Sequence, residues 1–155
     1  MGVENITQAV QILIEFWKKQ RLKIVPAKLD EIESFQKQKG YKLPSDFEEF
    51  YSHVNGMEAF YPNDIDENGF LFYPIEAVTP VVKEFKNSEM KNVGKIFIFC
   101  DYMHRSWWYG CEVIDGDNYI IGIISDRDSF KPITHSLSEF IELYINDSPK
   151  LYNYN

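Results

Sequence analysis

Apolar residues in the first third of the chain recur at helical spacing. Ile6, Val10, Leu13 and Phe16/Trp17 form one stripe, which predicts a helix over Ile6 to Lys19. Leu29, Ile32 and Phe35 form a second stripe. It predicts a helix from Pro26 to Lys39, with proline in the first turn and Gly40 just past the end. A third helix opens at Pro44-Ser45. There Ser45 and Glu48 have capping-box spacing, and Phe47, Phe50, Tyr51 and Val54 supply the apolar face. Asn55-Gly56 ends it, since both residues tolerate positive φ.

The pattern then changes period. Phe70 to Tyr73 reads as a short strand, and Thr79-Pro80 opens a helix carrying Val81, Val82 and Phe85. The unbroken apolar run of β-formers in Ile96 to Phe99 predicts a central strand. Ser106 to Ile114 and Tyr119 to Ile124 are two more strands, joined by the turn Asp115-Gly116-Asp117-Asn118. Ser136 and Glu139 repeat the capping-box spacing before Phe140, Ile141, Tyr144 and Ile145, and Pro149 closes that last helix. Helices, then a hairpin-linked sheet, then a helix: this order predicts an α+β fold with a mostly antiparallel sheet. No repeat and no Gly/Ser linker divides the 155 residues, so one domain over residues 1–155 is expected. The expected core is Leu13, Leu29, Ile32, Phe35, Leu43, Phe47, Phe50, Ile96, Ile98, Ile121, Ile123, Phe140 and Ile141.

Charge narrows the choice of partner. With 16 Lys+Arg against 24 Asp+Glu the formal net charge is −8. Phosphate neutralisation needs a basic face, so nucleic acid is not the expected partner. A basic protein surface suits the balance better. The start of the chain has no basic region before an apolar run and does not read as a signal peptide. The longest apolar run, Ile96 to Cys100, is far below the roughly 20 residues of a membrane span. Cys100 and Cys111 are too few for a disulfide framework. They read as two reduced small hydrophobes, which predicts a cytoplasmic location.

Motifs for chemistry are weak. Asp64-Ile65-Asp66-Glu67-Asn68-Gly69 matches the opening of a calcium loop, but Ile75 stands where a bidentate Glu is required. Cys100 and His104 are four apart with Asp101 between them, an electronegative setting for a thiolate. His53 and His135 have no triad partner nearby, no closely spaced Cys/His pairs suggest zinc, and no Gly-rich phosphate loop is present. No metal, cofactor or enzymatic activity is expected.

The densest aromatic stretch is Tyr102 to Tyr109. In a strand Trp107 and Tyr109 face one way and Trp108 the other, so at least one of these tryptophans is expected in the core. The rest is either ordinary packing or an interface patch, since Trp, Tyr and Arg anchor interfaces. Acidic residues crowd the same region: Glu58, Asp64, Asp66, Glu67, Asp101, Glu112, Asp115, Asp117, Asp126 and Asp128. They form either a solvated surface or a platform for a basic partner.

Gly40-Tyr41-Lys42-Leu43-Pro44-Ser45-Asp46-Phe47-Glu48-Glu49-Phe50, followed by Asn55-Gly56, resembles the signature of the SUKH superfamily. The order of elements from about Leu29 to Ile145 follows that family too. The resemblance implies helices packed on an antiparallel sheet, with no catalytic motif. It also implies either an immunity protein that binds and neutralises a cognate polymorphic toxin, nucleases among them, or a regulator of the fungal glucan-synthesis type. Leu43, Pro44, Phe47, Phe50, Asn55 and Gly56 match the signature and read as structural. The residues expected to meet the partner are chosen from chemistry: Asp64, Asp66, Glu67, Asp101, Tyr102, Trp107 and Tyr109.

Overall fold

Asn5 starts the first helix, its side chain accepting the Gln8 backbone N–H at 2.8 Å. In the computed structural model, which describes residues 5–40, 42–57, 66 and 68–152, α1 spans Ile6–Lys19 as expected. It buries Ala9, Val10, Leu13, Ile14 and Trp17. Helix α2 is shorter than its pattern suggests, Leu29–Lys39. Pro26 lies before it in extended chain. Gly40 caps its end with φ +73, the left-handed conformation that glycine adopts without strain. Leu29, expected in the core, is 71% exposed. It occupies the first turn of α2, off the Ile32–Phe35 direction that faces inward.

Helix α3 is Ser45–His53. The expected Ser45–Glu48 box does not form, because Pro44 takes the cap position and Ser45 is already helical. The Ser45 N–H instead donates to Asp117 Oδ1 at 2.8 Å, so a distant hairpin turn satisfies the helix start. Gly56 follows with φ +62, and a Cβ there would lie 2.4 Å from the Tyr73 carbonyl oxygen. Asn55 Oδ1 accepts the Ile75 N–H at 2.7 Å. The Asn-Gly pair thus locks the end of α3 onto the chain around residues 73–75.

The sheet holds β1 (Phe70–Phe72), β2 (Thr79–Pro80), β3 (Ile96–Tyr102), β4 (Trp107–Asp115), β5 (Asn118–Asp126) and β6 (Ser129–Thr134). Its order is β1-β3-β4-β5-β6, with β2 also pairing β3, and every pairing is antiparallel. Thr79-Pro80 is therefore a strand and not a helix start; only the single turn α4 (Val81–Glu84) follows it. Strand β6 is not visible in the apolar pattern because Pro132 interrupts it. Proline is tolerated there because β6 is an edge. Helix α5, Leu137–Ile145, has half of its expected box. Ser136 accepts the Glu139 N–H at 3.2 Å, while the Glu139 carboxylate turns to the Thr134 hydroxyl.

Helices α1, α3 and α5 cover one sheet face. Phe47 sits edge-on to Phe97 and Phe99 at 5.2 Å, and Phe140 meets Phe99 at 5.3 Å. All the expected core residues except Leu29 are buried. Cys100 and Cys111 are buried free thiols on the adjacent strands β3 and β4. Among the described residues no helix is long and apolar enough to cross a membrane.

Candidate functional site

Strand β3 carries a register shift between Ile98 and Cys100. One extra residue reverses the alternation of side chains beyond it. Cys100 pairs with Tyr109, Asp101 with Trp108, and Tyr102 with Trp107. Cross-strand partners share a face, so Tyr102, and not Asp101, joins Trp107 and Tyr109. The rings of Tyr102 and Trp107 stack with centroids 4.6 Å apart. Tyr152, from the 3-10 turn Pro149–Tyr152, packs edge-on at 5.4 Å from Tyr102 and 6.4 Å from Trp107. Trp107 Nε1 donates to the Tyr109 hydroxyl at 2.9 Å, which in turn donates to the Leu151 carbonyl. The last turn of the described chain is thereby pinned beside the hairpin.

The turn joining β3 to β4 is unusual. Met103, His104 and Arg105 all have positive φ, at 49°, 54° and 69°. None is glycine, and each such residue costs about 1–2 kcal/mol. Surrounding contacts hold the turn. Ser106 N–H donates to the Tyr102 carbonyl at 2.9 Å, and Met103 N–H to the Gly69 carbonyl at 2.8 Å. The Asp101 carboxylate accepts the Arg105 backbone N–H and, at 2.8 Å, the Tyr73 hydroxyl. Met103 stays 50% exposed, and His104 and Arg105 are exposed beside it.

The expected partner-facing residues divide into three groups. Asp64 and Glu67 lie outside the described residues. Tyr102 and Trp107 are half-buried at the hairpin end. The expectation of exposure is corrected for Asp66, Asp101 and Tyr109, which are all buried. Tyr109 is enclosed with Phe70 and Phe140. Asp66 accepts the backbone N–H groups of Asn68 and Phe70 at 3.0 and 2.8 Å. It also accepts the hydroxyl of Tyr144, which itself accepts Trp17 Nε1 at 2.8 Å. Asp101 is 3% exposed under Tyr73. These three residues support the hairpin end from inside. The tryptophan expectation also shifts: Trp107 and Trp108 are both half-buried, and the fully buried tryptophan is Trp17.

Burial pushes both carboxyls above the usual aspartate value. For Asp66, hydrogen bonds from Tyr144 and nearby backbone pull the other way; for Asp101, those from Tyr73 and Arg105 do. Burial, then Asp101 and Asp66, drive the Cys100 thiol up. It is a protonated core thiol with no nucleophilic character at neutral pH. His104 is exposed while Cys100 is buried, so the two do not form a dyad. Of the calcium-loop match, Asp64, Ile65 and Glu67 lie outside the described residues, and Asp66, which is buried, is committed to internal donors. Among the described residues no group of three or more His, Cys, Asp or Glu side chains is placed to hold a metal ion.

Sequence reasoning missed the three left-handed residues, since Met-His-Arg carries no turn signal. It also missed Tyr152, whose role depends on a contact across the fold. A further groove of about 400 Å³ lies between α2 and the turn Ile75–Ala77, with Asp30, Glu31 and Glu76 among its walls.

No curated protein matches the chain. Residues 26–143 match the SMI1 / KNR4 family (SUKH-1). That segment runs from the extended approach to α2 through most of α5, including the Leu-Pro and Asn-Gly positions that fix α3 in the fold. SUKH proteins are generally non-enzymatic binding proteins of immunity or regulator type, and this chain belongs to the SMI1 / KNR4 (SUKH-1) family.

Proposed function

We propose that this chain is an immunity-type protein that neutralises a cognate toxin domain by binding it directly. The observation that carries the reading is the hairpin end. Stacked aromatics flank three exposed residues held in a strained conformation beside the buried Asp101 carboxylate. Strain of this kind is retained where the surface has a task. Aromatic rings and Met103 supply contact area with little side-chain entropy to lose. The net charge of −8 favours encounter with a basic surface, such as the phosphate-gripping cleft of a nuclease toxin. Asp64 and Glu67 are the acidic residues assigned to that encounter, together with the Asp30–Glu76 groove. The protein acts in the cytoplasm, as one unit of residues 1–155, without cofactor. A regulatory scaffold of the glucan-synthesis type is the second reading; family membership supports it equally, and it needs no toxin.

The test is co-expression with the toxin domain encoded beside this gene, scored by cell survival and by binding of the purified pair. Protection by the wild type, lost in Trp107→Ala with the fold intact, is the expected result. Absence of both protection and binding for every neighbouring toxin would remove the immunity reading and leave the scaffold. Kinetics separate the two contributions. Asp64→Asn with Glu67→Gln slows association and flattens its salt dependence, whereas Tyr102→Ala mainly raises the dissociation rate.

A further inference from the structure

The opposite end of β4 carries charge of the other sign. A groove of about 540 Å³ opens between the end of α2, the β2–α4 corner, the 3-10 turn before β3 and the β4–β5 turn. Lys39, Lys42, Lys83 and Lys95 converge on it, and among the described residues no acidic side chain lines it. Its floor is apolar: Pro80 and Val82 contribute, and Val82 is 46% exposed. Among the described residues none of these lysines forms an ion pair. Four like charges around one groove repel each other, and here they stand in a protein of net charge −8.

We propose that this groove docks an acidic, partly apolar peptide segment of a protein partner. Lysines at the rim pair with carboxylates, and the floor receives one or two apolar side chains. Nucleic acid fits less well. The overall charge of −8 repels a long polyanion while leaving a short acidic segment within local reach of the lysines. The site is separate from the hairpin end and does not depend on the toxin reading.

The experiment is fluorescence anisotropy with a labelled twelve-residue peptide alternating Glu with Leu and Phe. A peptide with Lys for Glu, inorganic phosphate and a single-stranded oligonucleotide serve as comparisons. Salt-sensitive binding of the acidic peptide is expected, weakened about tenfold or more in Lys83→Glu/Lys95→Glu and retained in Lys83→Arg/Lys95→Arg. Val82→Ser, at an exposed position, should weaken binding several-fold without changing its salt dependence. Circular dichroism verifies that each variant is folded. Preference for phosphate or the oligonucleotide over the acidic peptide, equal binding of the lysine peptide, or no binding at all would overturn the proposal.

Discussion

At one end of β4 the chain reverses through Met103, His104 and Arg105; at the other it reverses through Gly116 and Asp117. The two turns lie roughly 25 Å apart along a nine-residue strand. The second is relaxed. Gly116 takes the positive φ of +47° at no steric cost. Asn118 Nδ2 donates to Asp115 Oδ1 at 2.8 Å, and Asp117 caps α3. The first spends three non-glycine residues on a conformation that glycine would adopt freely, and a buried carboxylate holds it. One turn serves the fold. The other holds exposed residues in place against their own preferences, between stacked aromatic rings. That difference supports placing the proposed binding surface at the hairpin end rather than along the acidic residues.

The largest expected effect comes from removing the latch. Asp101→Ala leaves the Tyr73 hydroxyl and the Arg105 N–H without their acceptor, and should lower stability by about 2–3 kcal/mol in urea denaturation. The matching change at the relaxed end, Asp117→Ala, removes one exposed cap hydrogen bond and should cost about 1 kcal/mol. Equal losses would erase the distinction between the ends. Glycine exchange should give opposite signs. Gly116→Ala puts a Cβ on a left-handed residue, with nothing within 4 Å to hinder it, and should destabilise by about 1 kcal/mol. His104→Gly relieves one strained residue and, after the added freedom of the unfolded chain, should stabilise by about 0.5 kcal/mol. Its loosened turn should bind the partner more weakly.

The smallest effect is on pH dependence. Asp66 and Asp101 both titrate, when folded, above the ordinary value of 3.8. In the window above 3.8 the folded protein holds more protons than the unfolded chain. These two groups therefore stabilise fully below that window and lose their contribution as pH rises through the folded values. Asp66→Asn and Asp101→Asn should each flatten that slope in thermal melts taken across the window. A slope unchanged in both variants would mean that the two carboxyls are not desolvated as described.

Much of the fold is legible along the chain. Helix α1, the Gly40 and Gly56 stops, the central β3 and the Asp-Gly hairpin follow from spacing and turn chemistry. What escaped depended on contacts remote in sequence. Asp117 replaced the local cap of Ser45, Pro132 hid an edge strand, and Leu29 matched its stripe but fell in a first turn outside the core. The site was half legible. Tyr102 and Trp107 stood out as aromatics, yet the bulge in β3 that brings them onto one face leaves no mark in composition. The same bulge sends Asp101 to the other face, where its charge is buried rather than offered to a partner.

Hydrogen exchange, read by mass spectrometry on the protein alone and bound to the toxin domain that the proposed function requires, tests the central claim most directly. The account predicts that binding slows exchange in peptides covering residues 102–107 and 149–152, with the β4–β5 turn unchanged. Protection confined to other surfaces, with residues 102–107 exchanging as in the free protein, would contradict it.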